Sequence, residues 1–68
     1  MKLSARNVLK GKVVDVKRGA VAAQVRVEIG GGNVLTSMIT VDAVDDLGIR
    51  QGDQVSVVIK STEVMLAT

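Results

Sequence analysis

Two short polar clusters hold the residue types that could do chemistry: Ser4-Ala5-Arg6-Asn7 near the beginning of the chain and Lys60-Ser61-Thr62 near its end. Each combines a cation with hydroxyl donors. Arg and Lys together offset the charge of a tetrahedral dianion, while Ser hydroxyls and neighbouring backbone N–H groups donate to its oxygens without adding charge. Such a site needs no metal ion and no aromatic ring. The competing reading is that Arg6 and Lys60 are solvated surface charges and that Ser61-Thr62 is a simple turn. The choice between the two depends on whether the fold brings these distant segments together.

Composition limits what else the chain could do. It has no His and no Cys, so the usual structural zinc ligands, disulfides and the commonest catalytic bases and nucleophiles are missing. The remaining acid, base and nucleophile candidates are scattered, which argues against an enzyme. With no Phe, Tyr or Trp there is no stacking platform for single-stranded nucleic acid. Nine Lys+Arg against seven Asp+Glu give a net charge of +2, too small and too dispersed for a duplex-binding stripe. No apolar run approaches the length of a membrane span, and Met1 is not followed by a basic and then apolar export signal. A cytoplasmic address with neither nucleic acid nor membrane as partner is expected. At 68 residues the chain is a single domain, 1–68, whose lone core is marginal and which lacks covalent or metal staples, so a homo-oligomer is expected.

The elements that must position the two clusters are strands. Fourteen Val and four Ile with no Pro favour a pleated, half-buried surface. From Ala20 to Ile29 the odd positions are apolar (Val21, Ala23, Val25, Val27, Ile29) and Gln24, Arg26 and Glu28 fill the even ones, as in a half-buried strand. Val55, Val57 and Ile59 repeat the pattern in a strand from Gln54 to Lys60. In the first strand, Leu9, Gly11 and Val13 set one phase and Val14 and Val16 the other, which predicts a bulge or barrel corner near Val13. Lys17-Arg18-Gly19 closes that strand in a turn. Gly30-Gly31-Gly32-Asn33 predicts a hairpin into a third strand, about Val34 to Val41. There, Val34 and Met38 share one face and Leu35, Ile39 and Val41 the other. Either the outer face meets another subunit or the strand twists so that its ends face opposite ways. A short helix is predicted over Asp42–Leu47, with Thr40 or Asp42 as N-cap and Gly48 as the stop. Glu63–Ala67 forms a fifth strand in this reading.

The expected fold is therefore all-β, a five-stranded OB-type Greek-key barrel with one short helix between strands 3 and 4. In a closed barrel, the start of the first strand and the end of the fourth can be neighbours, which would bring Ser4 and Arg6 to Lys60 and Ser61.

Ser4-Ala5-Arg6-Asn7 with Leu9, Gly11 and Val13, then Gly19-Ala20-Val21, Ile39-Thr40, Leu47-Gly48, Gly52, Lys60-Ser61 and Val64-Met65, resembles the molbindins, the small Mop proteins of the TOBE class. The likeness runs from about Lys2 to Ala67. It implies intracellular binding of molybdate, and often tungstate, by a homo-oligomer, a hexamer that can be viewed as a trimer of dimers. It also implies an oxyanion pocket between subunits made by Ser4, the Ala5 backbone N–H, Arg6, Lys60 and Ser61, with Thr40 from a neighbouring chain. A second site would lie on a symmetry axis at Gly19-Ala20-Val21. Thr40 is claimed equally by the cap and the ligand reading. Ala43 stands where many relatives carry Ser, so one hydroxyl donor is lost or replaced by Thr36, Ser37 or water. The implied role is storage or buffering of the anion. The alternative is an anion-sensing regulatory module acting on a transporter or transcription partner.

Overall fold

The computed structural model describes residues 4–68; Lys2, where the resemblance begins, lies outside them, as does Met1. Four strands, β1 (Asn7–Arg18), β2 (Ala22–Gly30), β3 (Asn33–Thr40) and β4 (Gln54–Ile59), form one antiparallel sheet in the order β3-β2-β1-β4. This is the Greek-key order: a meander of three strands, with the fourth returning beside the first. Helix α1 (Val41–Leu47) makes that return possible.

Local chemistry explains each turn. Gly31 and Gly32, at φ 62° and 78°, supply the two positive φ values that a two-residue I′ hairpin demands between the paired Gly30 and Asn33. The ladder between β1 and β2 slips between Val13 and Asp15, at the place where the apolar phase changes. The Arg50–Asp53 turn docks on that bulge: Gly52 N–H donates to the Val13 carbonyl at 2.8 Å and Val13 N–H to the Asp53 carbonyl at 2.9 Å. Gly11 is buried because β2 crosses over it. A Cβ there would stand 2.8 Å from the Glu28 carbonyl oxygen. Helix α1 is capped at both ends, by the Thr40 hydroxyl and by Gly48 at φ 65°.

Val13, Ala23, Val25, Val27 and Val44 are the sealed centre, with Val16, Ile29, Ile39, Ile49, Val55 and Val57 packed around them. Val34 and Met38 are exposed on the opposite face of the sheet, as are Val8 and Val58.

Several expectations need correction. The described residues form four strands rather than five. Ser61–Glu63 is a single 3-10 turn, and residues 64–68 beyond it pair with no strand. A strand exists only where an edge is there to take its N–H and C=O groups, and after this turn the segment pairs with none among the described residues. The barrel is not closed, because β3 and β4 stay as separate edges. Between them lie two clefts of about 190 Å³ each, both lined by Val27, Ser37 and Val57. β1 extends through Lys17 and Arg18, and Val21 falls in the β1–β2 turn, 74 % exposed, instead of in the core.

Candidate functional site

The β1–β4 ladder is what joins the two polar clusters. Its pairs run from Lys12 with Gln54 down to Asn7 with Ile59, and Arg6 and Lys60 are the residues that continue the two chains one step beyond that last pair. The adjacency follows from this pairing alone and needs no closed barrel. Asn7 reinforces the last rung: its side-chain Nδ2 donates to the Ile59 carbonyl at 3.2 Å. Ser4 lies in a bend just before Ala5 and Arg6, and Ser61 opens the 3-10 turn just after Lys60. Ser4, Arg6, Lys60 and Ser61 are exposed and Ala5 is half-buried. Among the described residues the one ion pair is Arg18 with Asp45, so no carboxylate engages Arg6 or Lys60 there. Two cations and two hydroxyl residues thus share one end of the sheet, with their charge open to an incoming anion.

Thr40 is not part of this group within one chain. It ends β3 opposite Ala22, at the end of the sheet where β1 finishes, with the twelve residues of β1 in between. Among the described residues, no hydrogen bond or ion pair joins it to Arg6 or Lys60. Its hydroxyl oxygen accepts the Ala43 N–H at 3.0 Å, which makes it the α1 N-cap. Ala43 therefore serves the helix through its backbone, whatever its side chain lacks.

The Gly19-Ala20-Val21 turn lies at that same far end. Gly19 N–H is committed to the Ala22 carbonyl at 2.8 Å, and the Val21 carbonyl accepts from Val41 N–H at 2.8 Å. Only Ala20 and Val21 keep amides that this turn does not use. Beside it, Arg18 forks onto Asp45 with contacts of 2.9 and 3.2 Å. That hydrogen-bonded fork, followed by the attraction of the Arg18 charge, holds the Asp45 carboxyl below its ordinary value, and Arg18 is raised in turn.

Reading the sequence missed one participant. Asn7 was part of the first cluster without a role of its own, and the only signal was an amide side chain placed directly before an alternating apolar run.

Comparison with known proteins places this geometry in context. Residues 3–66 match the TOBE domain family. Molybdenum-pterin-binding protein 3 of Clostridium pasteurianum is 54 % identical over 66 residues, covering 97 % of each chain. A molybdate-binding protein from Sporomusa ovata superposes with a TM-score of 0.93 at 35 % identity over the full length of both chains. The cytoplasmic molybdate-binding protein ModG, solved with molybdate bound, gives a TM-score of 0.86 at 46 % identity. The match takes in 90 % of this chain and 43 % of ModG.

Proposed function

Because the chain belongs to the Mop family of TOBE-domain binding proteins, we propose that it binds molybdate, and tungstate with it, as the bare oxyanion at sites formed where copies of the chain meet. The observation that supports this reading is the β1–β4 register, whose last pair, Asn7 with Ile59, brings to one end of the sheet the two segments that carry Ser4 and Arg6 on one side and Lys60 and Ser61 on the other. Arg6 and Lys60 offset the dianion's charge, and Ser4, Ser61 and the Ala5 N–H direct hydrogen bonds to its oxygens. The names of several relatives join molybdenum to pterin, but this chain has no aromatic residue to stack on a pterin ring, which favours the anion alone. It acts as a binding protein and not an enzyme.

The separation of Thr40 from Arg6 supports a pocket shared between subunits, with Thr40 supplied by a neighbour. So do the exposed Val34 and Met38 and the apolar tail, in which Met65 and Leu66 are each 93 % exposed. The tail's edge-seeking residues 64–67 and the open β3 and β4 edges are complementary surfaces, and their mutual use by copies of the chain builds a homo-oligomer. A hexamer arranged as a trimer of dimers fits this reading. A second, weaker oxyanion site at Gly19-Ala20-Val21 rests on the Ala20 and Val21 amides, since Gly19 is already bonded. The role is storage or buffering of the anion in the cytoplasm.

Arg6→Ala removes a charge-assisted contact worth roughly 1.5–3 kcal/mol, so molybdate affinity falls about ten- to a hundred-fold. Titration calorimetry on the assembled protein checks this. Unchanged affinity in Arg6→Ala removes the site, and a native chain that takes up no molybdate removes the function.

A further inference from the structure

We propose that Asn7 is a positioning residue, whose side-chain amide fastens the first residue of β1 to the last of β4 and so fixes the end of the ladder from which the like-charged Arg6 and Lys60 extend. Asn7 Nδ2 donates to the Ile59 carbonyl at 3.2 Å, a contact between residues 52 apart in sequence. Nothing else described at this end does the same work. The next rung inward, Val8 with Val58, is 49 % and 42 % exposed, so it adds little burial, and beyond Asn7 the ladder stops. Strand ends of this kind open readily. The residues just beyond it, Arg6 and Lys60, carry like charges, whose repulsion across a strand end favours opening. A neutral side chain that bonds across the gap opposes that repulsion without offering a negative charge that would compete for the cations. Asn meets both needs, since it donates through Nδ2 and carries no charge. Asp in its place would neither donate nor stay neutral.

The affinity part of the test rests on the oxyanion reading, whereas the exchange part does not. In the assembled protein, amide hydrogen exchange at Val8, Val58 and Ile59 is compared among the native chain, Asn7→Ala, Lys60→Gln and the double variant. Exchange accelerates in Asn7→Ala and returns towards the native rate when Lys60→Gln removes one cation. A loss that is merely structural would be insensitive to the charge at Lys60, and this result would overturn the proposal even if the variant is less stable overall. In parallel, Asn7→Ala weakens molybdate affinity about three- to ten-fold, the range expected of one hydrogen bond. The Asn7→Ala and Lys60→Gln effects are less than additive, because Asn7 acts through the placement of Lys60. Additive losses overturn the positioning role. Absence of molybdate binding by the native chain overturns the functional reading, and the exchange comparison still decides the role of Asn7.

Discussion

The Thr40 oxygen accepts the Ala43 N–H, and because a hydroxyl can accept and donate at once, its proton is left for a second partner. Cap and anion contact are therefore compatible in one side chain, and they separate under substitution. Thr40→Val removes both functions and lowers stability by about 1 kcal/mol, the typical worth of an N-cap. Thr40→Asp keeps the cap, holds stability to within about 0.5 kcal/mol, and sets a negative charge against the anion. Melting curves and calorimetric affinities measured on the same samples test the division: Thr40→Asp melts like the native protein and binds at least about tenfold more weakly. If its affinity is native, Thr40 is a helix cap and nothing more. The cap role of Thr40 was legible in the sequence, since the residue precedes an acidic first turn. The Asn7 bond was not, because a side chain bonding to a distant backbone carbonyl becomes visible only once the register is known.

Among the elements, α1 is tied to the sheet by two devices: burial of Val44 and the fork from Arg18 at the end of β1 onto Asp45. The fork makes stability depend on pH in a defined direction. The Asp45 carboxyl is held below its ordinary 3.8 in the folded chain by the bonds from Arg18, so the unfolded chain takes up the proton first. The contribution is complete above the ordinary value and is lost as the pH falls through the lowered one. Asp45→Asn therefore melts below the native protein at neutral pH, by the small margin typical of an exposed pair, and the two curves converge in acid. A margin that persists unchanged to about pH 2 would refute the linkage. Elements whose cause is local were read correctly from residues alone: the glycine hairpin, the bulge at Val13 and the helix stop at Gly48. The fifth strand was misread because the apolar run over residues 64–67 reports only a tendency to be buried or paired. Whether a strand forms depends on an edge elsewhere, and among the described residues that segment pairs with none.

For the whole molecule, the proposed assembly draws on the open β3 and β4 edges and the apolar tail. A chain ending at Glu63 keeps every strand and the full buried centre but loses Val64, Met65 and Leu66. It is expected to stay folded by circular dichroism while its assembly dissociates and its molybdate affinity collapses, which native mass spectrometry with and without the anion reads directly. A truncated chain that retains both subunit number and bound anions would show that the tail has no part in assembly. The small size that makes the lone core marginal is then also what leaves so much surface for neighbours.

The strand order has a further consequence in time. The β2–β3 hairpin closes over two glycines, and the β1–β2 turn is scarcely longer. Asn7 and Ile59, by contrast, must meet across 52 positions of chain. Loop-closure entropy falls hardest on that last pairing, so the meander forms first and β4 docks onto it late. The end of the sheet that carries Arg6 and Lys60 is thus among the last parts of the protein to form, and on the proposed reading the anion site waits for that pairing. By the same order it is among the first to loosen, so a bound anion, by stabilising the native pairing there, slows the opening of the fold at the point where opening begins.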